Sequence, residues 1–280
     1  MTKYYYLGQT YEPDLLMPLI GPNNSAFLYG ESLITTFVLL EGKAINLAKH
    51  YGRLANSLWA IYELKMPFLL EELVEILEGL VGTKKVKIML YFETDEIAEQ
   101  RKQGELRWLL KIDEHVINLS PTPIAVQSIQ RFSGDHFGEQ FQATKMGSYG
   151  REIAFRQMAM RKGKYNDILW INKAGRPIEL STSSIFGLQM INGEVRWSSP
   201  ANNEVILNGI LAENFCRYLN ESGVKLDFGI SSDCLVWSMN SALKFQQLVK
   251  IDQRVIKWNQ NEIEYLEETI NDFFIWNCKN

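Results

Sequence analysis

Cysteine and histidine are scarce, with three of each in 280 residues. Cys216, Cys234 and Cys278 are an odd number with no CxxC pair, so neither a disulfide framework nor a thiolate zinc site is expected. His50, His115 and His136 stand far apart and lack the close spacing of motifs such as HExxH, so no metal is expected. Long apolar runs are missing too: nothing approaches the roughly 18 residues of a membrane span. The first residues, MTKYYYLGQTYEPDLL, have neither a long apolar core nor a small-residue cleavage site, and the expectation is a cytoplasmic protein. Positive charge is not in excess. Lys and Arg number 29 against 33 Asp and Glu, net charge −4, and no basic cluster is interleaved with aromatics, so a nucleic-acid partner is not expected.

What is present is the makings of a large core. Hydrophobic residues are 46% and charged residues 22%, the composition of a folded globular chain. The length suits two domains of ordinary size. Segment 27–40, FLYGESLITTFVLL, reads as a strand leaving through a turn at Glu41-Gly42. Leu47, Tyr51, Leu54, Leu58 and Ile61 recur every three or four residues and predict a helix over 46–63. A second helix follows at 69–80, then strands at 86–92 and 106–112. In NLSPTPI, 118–124, two prolines disfavour helix and restrict the residues before them, which predicts a linker dividing domains at 1–118 and 119–280. Beyond it the pattern predicts a strand in PIAVQSIQ, a helix at 148–162, a hairpin turning at Lys173-Ala174-Gly175, and a second turning at Asn192-Gly193. A helix at 210–221, strand-like VKLDFGI, a short helix near 231, strand-like LVWSMNSAL and a helix at 261–275 follow. The fold class expected is α+β.

Four segments carry residues suited to an anionic, aldehyde-bearing cofactor. In HYGRL, His50 and Arg53 lie one helical turn apart, and a guanidinium fork matches phosphate oxygens. In ATKMGSYG, Lys145 stands between small and hydroxyl residues where a strand gives way to a helix; an ammonium removed from water loses its proton more readily, and the neutral amine condenses with an aldehyde. In RPIELSTSSIFGL, Glu179 could face a pyridine ring nitrogen and hold its proton. In VILNGILAENF, Gly209 precedes a helix whose free N–H groups could receive a phosphate. SMNSAL offers Ser238, Asn240 and Ser241 as further phosphate contacts. Taken singly, each segment also reads as ordinary structure: a solvated helix face, a surface lysine, a Ser/Thr turn, a helix start.

In chain order, HYGRL, TKMGSY, ELSTSSIF, ILNGI and SMNSA resemble the class-IV (fold-type IV) pyridoxal-phosphate enzymes, over almost the whole chain. The resemblance implies a two-domain fold with the cofactor at the domain interface, a homodimer, and a small-molecule substrate. It implies Lys145 as the Schiff-base lysine, Glu179 at the ring nitrogen, and Arg53, Tyr149, Gly209, Ile210 and Leu211 around pyridoxal 5'-phosphate, with Asn240 and Ser241 as alternatives at a second phosphate stretch. Ser184 stands where the family usually has asparagine, and Leu211 where threonine is frequent. Around Tyr29-Gly30 the family's GDG-x-[FY]-E reads GESLITT, and Thr35-Thr36 is similar to the F-T-T of some 4-amino-4-deoxychorismate lyases. The implied activity is therefore such a lyase, releasing 4-aminobenzoate and pyruvate for folate biosynthesis, with Tyr29 and Thr36 toward the substrate. A D- or branched-chain amino-acid aminotransferase and a non-catalytic homologue remain as alternatives.

Overall fold

The computed structural model describes residues 2–14, 16, 24–93, 101–131, 144–200 and 206–279. The chain forms two compact units, one of residues 1–117 with 138–149, the other of 118–137 with 150–280. His136 lies outside the described residues.

The first unit is built on a six-stranded antiparallel sheet. Its strands are β1 (Thr2–Tyr6), β2 (Gln9–Tyr11), β3 (Ser32–Leu40), β4 (Lys43–Ala44), β5 (Lys84–Phe92) and β6 (Leu106–Glu114), in the order β2-β1-β6-β5-β3-β4. Side chains alternate across such a sheet. Leu33, Phe37 and Leu39 of β3, Val86, Ile88 and Leu90 of β5 and Leu110 and Ile112 of β6 therefore share one face. Helices α2 (Leu47–Tyr62) and α3 (Leu70–Glu78) bury Leu54, Leu58, Leu73 and Leu77 against them. The other face carries a smaller cluster of Tyr6, Leu16, Tyr91 and Leu109.

The stretch expected as a strand from residue 27 begins instead with a short helix, α1 (Ser25–Tyr29), and β3 starts only at Ser32. The Asn24 side chain accepts from the Phe27 N–H at 2.9 Å, and a local cap of this kind outweighs the strand preference of Phe27 and Tyr29.

The second unit holds a nine-stranded mixed sheet: β7 (Asn118–Gln130), β8 (Asp167–Ile171), β9 (Pro177–Leu180), β10 (Ser184–Ile191), β11 (Glu194–Ser199), β12 (Leu226–Phe228), β13 (Leu235–Asn240), β14 (Lys244–Ile251) and β15 (Arg254–Val255). Helices α4 (Gly150–Arg161), α5 (Ile210–Glu221) and α6 (Gln260–Lys279) complete it. A Ser184–Glu179 pairing joins β9 back to β10. An aromatic core of Phe186, Trp197, Phe215, Trp237, Phe245 and Phe273 underlies α5 and α6, with rings meeting mostly edge to face.

Two expectations are corrected here. Residues 118–124 are not a linker but the start of β7, paired in parallel with β14. Pro121 and Pro123 are tolerated because β8 joins the other side only from Val126 onward, so no ladder bond is asked of their missing N–H groups there. No helix forms near 231: the Ser231 hydroxyl bonds the Asp233 carboxylate, Gln189 reaches the same carboxylate at 2.8 Å, and β13 begins at Leu235.

Candidate active site

Within the first unit, Lys145 lies in an extended segment pinned to β3. The Ile34 N–H donates to the Lys145 carbonyl at 2.8 Å and the Gly147 N–H to the Ser32 carbonyl at 2.7 Å, about a bridge between Leu33 and Met146. Gly147 packs closely on β3: an added Cβ would stand 1.9 Å from the Ser32 hydroxyl, which would have to turn away. The Lys145 ammonium nitrogen lies 5.8 Å from the centre of the Tyr149 ring.

Beneath this segment, α2 meets β3 through a three-residue relay. Arg53 Nη2 donates to the Thr35 hydroxyl at 2.6 Å, and that oxygen lies 2.7 Å from His50 Nδ1. The Thr35 hydroxyl thus stands between the two side chains, accepting from the guanidinium and hydrogen-bonded to the imidazole. Burial, then the Arg53 and Lys145 charges, push the His50 pKa well below its ordinary value, so the ring is neutral. Arg53 Nε is buried and has no hydrogen-bond partner among the described residues. An orphaned buried donor costs about 1–3 kcal/mol, and an anion is the partner that relieves it.

The neutral histidine gives stability a pH dependence. In the unfolded chain His50 titrates near its ordinary value of about 6.5, and in the folded chain far lower. Below that ordinary value the unfolded state therefore binds the proton that the folded state refuses, and stability falls as the pH falls. The denaturant midpoint is expected to drop between about pH 7 and pH 5, and His50→Gln to flatten that slope. An equal slope in the variant would sink the assignment.

The second unit carries the acidic and helix-terminal residues. Glu179, on β9, is the cross-strand neighbour of Trp170 and of Ser184. Arg131 Nη2 bonds its carboxylate at 2.5 Å while lying over the Trp170 ring at 5.1 Å. Burial raises the Glu179 pKa; the Arg131 charge and hydrogen bond, and then the Leu207 N–H, oppose it. Two residues beyond Leu207, Gly209 caps α5, whose first turn receives no side-chain cap. A Cβ on Gly209 would lie 2.7 Å from the Ser184 hydroxyl, so glycine is what lets β10 approach the helix start. Ile210 and Leu211 send their side chains into the core, at 4% and 2% exposure, and can offer a ligand only their backbone N–H groups.

The three residues of the SMNSA stretch differ. Ser238 is fully buried and bonded to Gln246, and Asn240 is engaged by Ser183 at 3.0 Å and by the Ala242 N–H at 3.1 Å. Ser241, half-buried in the turn after β13, makes no hydrogen bond through its hydroxyl among the described residues.

Thr35 and Thr36 point to opposite faces of the first unit's sheet, Thr35 toward α2 and Thr36 away from it. Tyr29 ends α1 and is half exposed. The sequence reading did not single out Arg101. Its guanidinium bonds both oxygens of Glu31, stacks 5.1 Å from the Phe92 ring and is 8% exposed. An arginine following an apolar strand was the available signal, but only the fold shows its charge spent on Glu31. Among the described residues no group of three His, Cys, Asp or Glu side chains could hold a metal ion, and no helix is long and apolar enough to cross a membrane.

The chain is thus of mixed α+β type in two units, the first with an arginine and a backbone-pinned lysine, the second with an arginine-paired carboxylate and a glycine-capped helix start. The model of the amino-transferase class IV family matches residues 32–230, and the chain belongs to that family. It is accordingly a pyridoxal-phosphate-dependent enzyme. Among solved structures, a hypothetical aminotransferase from Mycobacterium tuberculosis superimposes with a TM-score of 0.80 at 16% identity, covering 99% of this chain and 100% of that one. The branched-chain amino acid aminotransferase of Escherichia coli gives 0.79 at 15% identity, over 98% and 93%. A putative 4-amino-4-deoxychorismate lyase from Legionella pneumophila gives 0.76 at 18% identity, over 94% and 98%. No curated protein sequence matches the chain.

Proposed function

We propose that this enzyme is a 4-amino-4-deoxychorismate lyase, acting as a cytoplasmic homodimer, with Lys145 as the residue that holds pyridoxal 5'-phosphate covalently. The observation that carries the lyase reading is on β3, where Thr35 and Thr36 replace the glutamate of the aminotransferase-type motif. Thr35 is consumed in supporting Arg53, and Thr36 stands on the opposite face of the sheet.

The residues present fit the cofactor. Taken unit by unit, the first offers a phosphate Arg53 with its unsatisfied Nε, and the second offers the backbone N–H groups of Ile210 and Leu211, with Ser241 less engaged than Ser238 or Asn240. Tyr149, beside Lys145, flanks the ring. When bound, the cofactor supplies an aldehyde for amines and an electron-accepting ring. Glu179, whose pKa burial raises while the Arg131 charge and hydrogen bond oppose that rise, would face the ring nitrogen. The Lys145 amine would hold the cofactor aldehyde at rest and, when free, would serve as the base toward the substrate's amine-bearing carbon. The bond to the enolpyruvyl group would then break, leaving an aromatic ring, and the proton taken by Lys145 would return to the expelled group, so that the products are 4-aminobenzoate and pyruvate.

The test is to supply the loaded protein with 4-amino-4-deoxychorismate and, separately, with D-alanine or L-leucine plus 2-oxoglutarate. Pyruvate and 4-aminobenzoate from the first, with no amino acceptor added, are expected. Glutamate formed only in the second would replace the lyase by an aminotransferase.

A further inference from the structure

On the face of the first unit's sheet that turns away from α2 and α3, four side chains form one row. Thr36 of β3, Lys87 of β5, Lys111 of β6 and Tyr4 of β1 are successive cross-strand neighbours. Directly opposed residues have Cβ atoms about 4.5–5.5 Å apart, and like charges so placed repel. Lysines are common on sheet edges, where they block unwanted pairing, but β5 and β6 are interior strands of this sheet.

The neighbouring row gives only partial relief. Its Asp113 lies 3.3 Å from the Lys111 ammonium and 3.7 Å from that of Lys85, and also accepts from Thr2 at 2.7 Å. Two ammoniums thus share one carboxylate, and Lys87 makes no ion pair among the described residues. Burial, then the charges of Lys111 and Lys85, lower the Lys87 pKa, with Asp113 alone opposing. The strands also set a hydroxyl at each end of the lysine pair, Thr36 on one side and Tyr4 on the other.

We infer that this row is a carboxylate-binding site, with Lys87 and Lys111 facing the anion and Thr36 and Tyr4 able to donate from its two ends, and that the substrate's carboxylate is its occupant. The identity of the occupant rests on the lyase reading; the existence of the anion site does not. A substrate with two carboxylates, as 4-amino-4-deoxychorismate has, suits a pair of lysines better than a neutral one does.

The probe is succinate, a non-reacting dicarboxylate, titrated calorimetrically into the cofactor-loaded protein, with succinamide as uncharged control. Saturable succinate binding is expected, about tenfold weaker in Lys87→Met and in Lys111→Met and kept in Lys87→Arg. Without ligand, Lys87→Met should melt no lower than the parent, because a repelling pair is relieved and no ion pair is lost. In turnover both methionine variants should raise KM about tenfold with kcat little changed, as loss of uniform binding requires. Succinate that does not bind, or that binds the methionine variants as well as the parent, overturns the site. Succinate binding as expected without lyase turnover upholds the site and removes the lyase reading instead. Lyase turnover whose KM neither substitution moves overturns the row as the substrate's site.

Discussion

Lys145→Ala is expected to abolish turnover and, in the same variant, the visible absorbance band and the borohydride-fixed adduct. In the proposed mechanism the same amine both holds the cofactor and moves the substrate proton, and the loss of a positioned general base alone is worth about 10²–10⁴ in rate. Neither His50 nor Arg53 of the first unit can stand in for it. His50 is neutral and tied to Thr35, and Arg53 keeps its proton under all ordinary conditions. The change should cost little stability, because the segment is held by backbone bonds at Ile34 and Gly147 that alanine retains. Borohydride reduction followed by peptide mapping is the direct measurement. An adduct on a different lysine, or full activity in the variant, would overturn the assignment.

Glu179→Ala is expected to split the two readouts that Lys145→Ala removes together. The lysine is intact, so the visible band stays, but turnover falls by on the order of a hundredfold or more, the scale of losing one preorganised electrostatic contact in a water-poor site. The physical cause has two parts. The carboxylate that holds the ring-nitrogen proton is gone, and the Arg131 charge that it balanced at 2.5 Å then disfavours a proton on that ring. Glu179→Gln restores volume but not charge and should be nearly as slow. Spectra and single-turnover rates decide this, and unchanged turnover in either variant would remove Glu179 from the chemistry.

The parts of the fold that could be read from residue order are those where local chemistry has no competitor. Helix α5 spans Ile210–Glu221 as its periodicity predicts, and α2 falls within a residue of its expected ends, because an apolar stripe at helical spacing has no other way to be buried. The turn at Asn192-Gly193 joins β10 to β11 for the same local reason, Asn192 taking φ +53° as a two-residue hairpin requires. Legibility failed where a distant partner decided. Proline-rich 118–124 lies in the sheet because β14 pairs with it, and β14 itself, KFQQLVKI, lacks strict alternation and was not anticipated. The strands β1 and β2 were also passed over, since TKYYY and QTY gain their faces only from β6.

By itself the sequence determined the family, through five short segments whose order and residue types suit a phosphate, an aldehyde and a pyridine nitrogen. It also determined the element types around them, because caps, turns and amphipathic periods act over a few residues. Only the tertiary structure decided what each group is doing electrically: that Thr35 serves Arg53 while Thr36 faces the other way, that Arg131 bonds Glu179, that Arg101 is spent on Glu31, and that Lys87 stands opposite Lys111. The reason is that charge, protonation and hydrogen-bond commitment are set by neighbours brought together from far along the chain, at distances of a few ångströms that residue order does not encode.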